Sequence, residues 1–345
     1  MRLQCSCASL GAFSTVMPPP VRVALIGAGR WGKVYIKTLL ALGDRCRLTH
    51  LCSRNPENAA LVPHPVDMVR DWREVMRAAC DAVIIATPPE THAQILEACL
   101  EAGKPCIVEK PLCLNVATAE RLDARVRSSG VPVLVDHTQL FNPYYLALKQ
   151  ALARSQERIR LIVSEGMAFG PFRAETSALW DWGPHDLSLC LDLMGKTPEH
   201  IETLAGPRAP DGTPEAASLR LEFADGVSAW IQVSRLSPVK RRTLAVITDV
   251  HAYFLDDTAA VPLTVGLMPF ASRYAADRSE TPERSAIPAL TQRRPMEQMV
   301  SYFLDGLAGG DRQQFGTQLA LEITRLLAAC DAAMGVRQPI ASRVR

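Results

Sequence analysis

Residues 21–42 read VRVALIGAGRWGKVYIKTLLAL. Five of the first six are apolar and three are β-branched, which suits a buried strand. The last ten, KVYIKTLLAL, carry apolar positions at helical spacing. Between them lies GAGRWG, so the stretch predicts strand, glycine turn and helix in immediate succession. Glycine clusters are common in turns, and the context makes this one specific. Gly27 permits the tight turn, Gly29 lets backbone approach a pyrophosphate, and Gly32 lets helix and strand pack closely. The helix N-terminus then faces the phosphates. A dinucleotide site is predicted here, with Arg30 and Trp31 of the same turn beside the ligand.

The alternation continues outward. RLTHLCS (47–53), DAVIIATPP (81–89), PCIVEKP (105–111) and PVLVDHT (132–138) read as further strands. REVMRAA (73–79), THAQILEACLEAG (91–103) and TAERLDARVRSSG (118–130) read as the helices between them. Strands alternating with helices predict a doubly wound parallel sheet, whose ligands sit beyond the carboxyl ends of the strands. Ala86, Thr87, Pro88, Pro89, Glu109 and Lys110 fall at those ends. The second strand ends in Cys52-Ser53-Arg54-Asn55. An NAD-specific site usually places a carboxylate there for the ribose hydroxyls. Ser53 and Arg54 suit a 2′-phosphate instead, so NADP is expected, with NAD left open.

Composition bounds the rest. A chain of 345 residues suits two domains, and 48% apolar with 21% charged residues is the balance of a folded protein. The net charge of +2 carries no basic block, so neither nucleic acid nor an anionic membrane is expected as a partner. No apolar run approaches the ~18 residues of a membrane span. The ten cysteines include no CxxC pair, and most lie singly in apolar segments. Free thiols, no zinc site and a cytoplasmic location follow as expectations. Residues 1–19 lack the uninterrupted apolar core of a signal peptide and read as a disordered extension, with Met17 an alternative start.

Four blocks in order, GAGRWG, ATPPETHA (86–93), EAGKPCIVEKPL (101–112) and DWGPHDLSLCLDLMG (181–195), resemble the Gfo/Idh/MocA oxidoreductases. The resemblance covers roughly residues 20–335. It implies an N-terminal Rossmann domain joined to a C-terminal α/β domain with a large open, mainly antiparallel sheet. It also implies NAD(P)-dependent hydride transfer at a hydroxyl or keto carbon of a sugar, cyclitol or sugar nucleotide. The lysine of the family's EKP block falls on Lys110, which holds the reacting oxygen. Its DxxxH block falls on Asp181 and His185, the histidine acting as acid/base and the acid as a positioning group. His92 matches a recurrent histidine expected to be structural or cofactor-adjacent. One departure is Leu140-Phe141, where many members carry an arginine-phenylalanine pair.

Positions i and i+4 share one helix face, so Asp181 and His185 are expected to point into one cleft from the start of DLSLCLDLM. Histidine suits the proton transfer because its ordinary pKa is near neutral, and the Lys110 charge stabilises alkoxide character. The rival reading is a capping acid with a packed histidine, and Asp186 is a second candidate cap. No metal site is expected.

The second half turns to β patterns. A linking helix, NPYYLALKQALA (142–153), leads to IRLIVSEGMAF, SLRLEF, VSAWIQVS, RTLAVITD and HAYFLDD, with Asp225-Gly226 as a hairpin turn. Val227, Ala229, Ile231 and Val233 share one face and Trp230 takes the other, as substrate wall or subunit interface. The family's habit implies a homodimer or homotetramer through this sheet. Arg241 and Arg242 read as a solvated strand end rather than phosphate ligands. Segment 272–294 reads as a long loop, followed by helices over 295–309 and 313–334. The expected organisation is a Rossmann domain over 20–138, a substrate and oligomerisation domain over 139–335, and a tail over 336–345. Three rival functions stand beside dehydrogenation: a redox-neutral, dinucleotide-retaining glycosidase, a dinucleotide-sensing regulator, and a reductase of a non-sugar substrate.

Overall fold

The computed structural model describes residues 19–172, 176–268 and 283–335. The expected tail over 336–345, and all but the last residue of the expected N-terminal extension, lie outside them. The glycine stretch folds as strand β1 (Val21–Ile26) and helix α1 (Arg30–Ala41). β2 (Cys46–Cys52), β3 (Asp67–Val69), α2 (Trp72–Arg77), β4 (Ala82–Ile85), α3 (Pro89–Glu101), β5 (Cys106–Val108), α4 (Val116–Ser129) and β6 (Val133–Val135) follow. The six strands are parallel, in the order β3-β2-β1-β4-β5-β6. The chain reverses direction across the sheet between β1 and β4, which opens a crevice at their carboxyl ends.

Period-two alternation divides β1 between two cores. Val23 and Leu25 join one apolar cluster, whereas Ala24 and Ile26 join another on the opposite face. Local chemistry places the helices. Asn115 Oδ1 accepts from the Thr118 amide at 2.8 Å to start α4, and Gly130, at φ +66°, ends it. Pro89, read from sequence as a strand end, is instead the first residue of α3, where its missing N–H has no partner to lose.

The second half supplies α5 (Pro143–Ser155), β7 (Ile159–Phe169), α6 (Ala178–Met194), β8 (His200–Ala205), β9 (Ala216–Glu222), β10 (Ser228–Ser234), β11 (Leu236–Thr248), β12 (His251–Asp256), β13 (Leu263–Leu267), β14 (Arg284–Ala286), α7 (Pro295–Leu307) and α8 (Gln318–Ala333). Eight strands form one sheet in the order β14-β13-β12-β11-β7-β10-β9-β8, parallel only between β7 and β10. Ile162, Ala229, Ile231, Val233, Leu244 and Val246 are buried together on its inner face, against which α6 packs. Each large aliphatic side chain buried this way contributes about 1.5–3 kcal/mol. Trp230 stands on the outer face, half exposed.

Several sequence expectations change. β3, β8, β13 and β14 have no counterpart in the sequence reading, and β14 lies inside the expected loop over 272–294, whose residues 272–282 are outside the described ones. α6 begins at Ala178, capped by the Ser177 hydroxyl, rather than near Asp186. Asp186 is therefore a buried mid-helix residue and not a cap. Two contacts carry the helices back to the first sheet's side: the Thr317 hydroxyl donates to Asp123 at 2.9 Å, and Arg325 pairs with Glu120 at 2.9 Å. No described helix is long and apolar enough to cross a membrane.

Candidate active site

The crevice holds a cavity of about 990 Å³ running from the glycine turn to the first turn of α6. Gly27 to Trp31, Ser53, Arg54, Ala86 to Pro89, Glu109, Lys110 and Asp181 all line it. The glycines differ in what they permit. Gly27 adopts φ +100°, and a Cβ there would sit 2.4 Å from the Ala86 carbonyl oxygen. A Cβ on Gly32 would lie 2.1 Å from the Gly27 carbonyl oxygen. At Gly29 a Cβ meets no protein atom within 4 Å, so that side is open. α1 starts on Gly29 with no side-chain cap and no acidic residue in its first turn. Its free N–H groups and positive dipole end suit an anion. A dinucleotide fits these residues, and Gly29 with the start of α1 would hold its pyrophosphate.

At one end of the cavity Ser53 Oγ accepts from Asn58 Nδ2 at 2.8 Å and from the Asn55 amide at 3.2 Å. Asn58, Arg70 and Trp72 line this end as well, none of them anticipated from sequence. Arg70 follows the three-residue β3, too short to show alternation. His92 is fully buried, with Nε2 2.8 Å from the Thr87 carbonyl and Nδ1 2.9 Å from the Pro111 carbonyl. Burial pushes its pKa down, so a neutral ring donates to one carbonyl at a time. Its two contacts tie the Ala86–Pro89 turn to the turn bearing Lys110.

At the other end Lys110 crosses from the end of β5 to α6. Its Nζ donates to the Asp181 carbonyl at 2.6 Å and lies 3.4 Å from Asp181 Oδ1, and both side chains are at most 10% exposed. Beneath this pair is a carboxyl cluster. Tyr35 Oη donates to Asp136 Oδ2 at 2.6 Å, and the Thr138 hydroxyl donates to Asp136 Oδ1. Burial first, and the Asp136 charge second, raise the Glu109 carboxyl well above its ordinary range.

His185 does not line the large cavity. It is buried on the next turn of α6, with Nδ1 unpartnered, against a pocket of about 20 Å³ shared with Gln139, Asp186, Arg242 and Asp257. Burial, then the charges of Lys110 and Arg242, hold its pKa well below the ordinary value, so the ring is neutral. Arg242, expected to be solvated, sits on the inner face of β11. Its register partner is Gly166, whose Cβ would lie 2.5 Å from Asp186 Oδ2 and 3.2 Å from Arg242 Nη1. The guanidinium stacks 3.9 Å from the centre of the Trp182 ring. Burial lifts the Asp186 carboxyl to about 6, opposed by Arg242 and by the Ser164 hydroxyl at 2.5 Å. The period-two pattern Arg242, Leu244, Val246 carried this signal. Arg241, one residue earlier, is exposed and paired with Glu165 at 3.1 Å.

The arrangement places a buried ammonium at one end of the crevice and a neutral histidine one helical turn further along α6, outside that cavity's lining. Leu140 and Phe141 line a separate cavity of about 370 Å³ instead. Among the described residues no three histidine, cysteine or acidic side chains gather as a metal site, and the described cysteines are free and buried.

Residues 21–137 match the model of an oxidoreductase family with an NAD-binding Rossmann fold, and residues 156–251 match the GFO/IDH/MocA C-terminal domain. The structure of a candidate oxidoreductase from Magnetospirillum magnetotacticum MS-1 is 39% identical and superposes with a TM-score of 0.80, covering 90% of this chain and 99% of that one. An inositol 2-dehydrogenase of Paenarthrobacter aurescens is 28% identical over 62% of this chain and 68% of its own. A UDP-N-acetylglucosamine 3-dehydrogenase of Acidithiobacillus ferrooxidans is 27% identical over 64% of this chain and 70% of its own. The chain belongs to the Gfo/Idh/MocA family of NAD-binding oxidoreductases.

Proposed function

We propose that this enzyme moves a hydride between a nicotinamide dinucleotide, NADP in preference to NAD, and a CH–OH or C=O carbon of a sugar, cyclitol or sugar nucleotide. The observation that carries the reading is Lys110 reaching from the dinucleotide crevice to Asp181, one helical turn before His185. The dinucleotide supplies the hydride chemistry. The chain's own residues do the rest. Lys110 holds the substrate oxygen and stabilises its negative charge in a buried setting, where such a charge counts for more than in water. Asp181 fixes the ammonium in place. His185, kept neutral, takes the hydroxyl proton in oxidation and returns it in reduction.

The cofactor preference rests on Ser53 and Arg54, with Arg70 a second cation at the same end of the cavity. We assign the Rossmann unit to 20–138 and the substrate and oligomerisation unit to 139–335. The outer face of the eight-stranded sheet, with Trp230, is the surface through which copies pair as a homodimer or homotetramer. Fluorescence titration with NADPH and NADH, followed by a substrate panel of cyclitols, sugars and UDP-sugars, tests the reading. Tighter NADPH binding and reduction of NADP+ by a polyol are expected. Binding of neither dinucleotide overturns it.

A further inference from the structure

We propose that Arg242 and Asp257 grip one hydroxyl of the substrate beside His185, and that this clasp selects an uncharged sugar or cyclitol ring over an acidic one. The inference rests on the dehydrogenase reading above and narrows its substrate. Arg242 and Asp257 are neighbours across β11 and β12. The Asp257 amide donates to the Arg242 carbonyl at 3.0 Å, one position beyond the register pair Thr243 and Asp256. Opposite charges placed so ordinarily pair. Here they do not. Among the described residues the Arg242 guanidinium makes no hydrogen bond or ion pair, and the Asp257 carboxylate accepts only from Asn142.

Each partner is held by something else. The guanidinium lies 3.9 Å from the centre of the Trp182 ring, and its Nη1 lies 3.2 Å from where a Gly166 Cβ would stand. Asn142 Nδ2 donates to Asp257 Oδ1 at 2.8 Å, while Asn142 Oδ1 accepts from the Tyr144 amide at 2.9 Å and so is fixed at the start of α5. Both charged groups line the pocket of about 20 Å³ that His185 also lines, with room for about one water-sized group. Asp257 is exposed and Arg242 half-buried, so a ligand reaches these two, unlike the enclosed Asp186 Oδ2. A guanidinium only donates, an ionised carboxylate only accepts, and a hydroxyl does both, so one hydroxyl between them satisfies each. A carboxylate or phosphate suits the pocket less. It is larger than one water, brings no proton for Asp257, and meets the Asp186 and Asp257 charges that already face Arg242. The placement fits the reaction. Asp181 lines the crevice with Lys110, and His185 lines this pocket one helical turn later, so a ring reacting at Lys110 extends a further hydroxyl toward Arg242.

Calorimetric titration of the full chain at saturating NADPH tests the clasp without turnover. The probes are myo-inositol, and glucose, galactose and UDP-glucose each against its uronate. Wild type is expected to bind the neutral member of a pair at least about tenfold more tightly. Arg242→Met, which keeps an apolar stem on Trp182, and Asp257→Ala should each weaken the neutral ring by about tenfold. The double variant should lose no more than either, because both groups act on one hydroxyl. NADPH affinity should stay within twofold in all three. Monodeoxy analogues of the best-bound ring give a reading that needs no variant to fold: one of them should lose about tenfold on wild type. Preference for an acidic ring, or no neutral ring bound while NADPH binds, overturns the clasp. So do folded variants that keep wild-type affinity, single losses that add in the double variant, and a deoxy series with no weakened member. Failure to bind NADPH is scored first and counts against the dehydrogenase reading, and the ring titrations then run on the chain alone.

Discussion

Gly29→Ala separates binding from folding more cleanly than any other change in the glycine turn. Gly29 has φ −72°, open to any L-residue, and its Cβ would meet no protein atom within 4 Å. Replacing glycine at such a site removes unfolded-chain freedom and stabilises by roughly 0.4–1 kcal/mol. The new methyl enters the cavity where a pyrophosphate must meet the first N–H groups of α1. Displacing the anion there forfeits one or two charge-assisted hydrogen bonds, each about 1.5–3 kcal/mol, so the dissociation constant for NADPH rises by at least about tenfold. Gly27→Ala is the contrasting control. Its φ of +100° and a Cβ 2.4 Å from a carbonyl oxygen strain the backbone itself, so it loses about 1–3 kcal/mol of stability as well as affinity. Thermal unfolding and NADPH titration on the same samples read both quantities. A Gly29→Ala chain that binds NADPH within twofold of wild type refutes the reasoning, because the open side of Gly29 would then not face the ligand.

Lys110→Met is expected to leave NADPH affinity within a few-fold and to cut kcat by about 10²–10³, the usual cost of losing one oxyanion donor. Equal losses in affinity and kcat would instead make Lys110 a cofactor ligand. Arg54→Ala should weaken NADPH by about tenfold while sparing NADH, which side-by-side titration decides. An equal effect on both would remove the 2′-phosphate assignment. For pH, His137 has a folded pKa near 4 against an ordinary value of 6.5. Its contribution is therefore intact above pH 6.5 and is lost as pH falls toward 4, because the unfolded chain binds the proton first. Between pH 6.5 and 5 that amounts to about 2 kcal/mol. Asp186, raised to about 6, works in the opposite sense over an overlapping window, so the His137→Asn variant isolates the histidine. Its denaturation free energy should fall less steeply on acidification than that of wild type. Parallel curves would show that His137 takes up its proton as readily in the folded chain as in the unfolded one.

What was legible in the sequence follows the reach of its signals. The glycine turn was readable because strand, turn and helix are contiguous, and each glycine has a local reason that the backbone bears out at Gly27 and Gly32. The contact between Lys110 and Asp181 was not readable from pattern, since a separation of 71 positions gives no period that brings an ammonium to a carbonyl. The helix boundary was misplaced because Gly183 and Pro184 look like breakers, yet both lie inside α6. Pro184 forfeits one backbone donor, and the apolar burial of the helix from Ala178 to Leu191 outweighs it. That error mattered for chemistry. With the true start at Ala178, Asp186 moves from an exposed cap to the inside of the sheet, where the space left by Gly166 admits its carboxylate beside Arg242. A glycine in the middle of a strand usually marks a close approach. Here it marks the side of the site that carries buried charge, and the pairing needs three elements that only the folded chain brings together: Gly166 on β7, Asp186 on α6 and Arg242 on β11. The burial and the charges that keep His185 neutral are thus set by tertiary structure, while the glycine turn is set by local sequence.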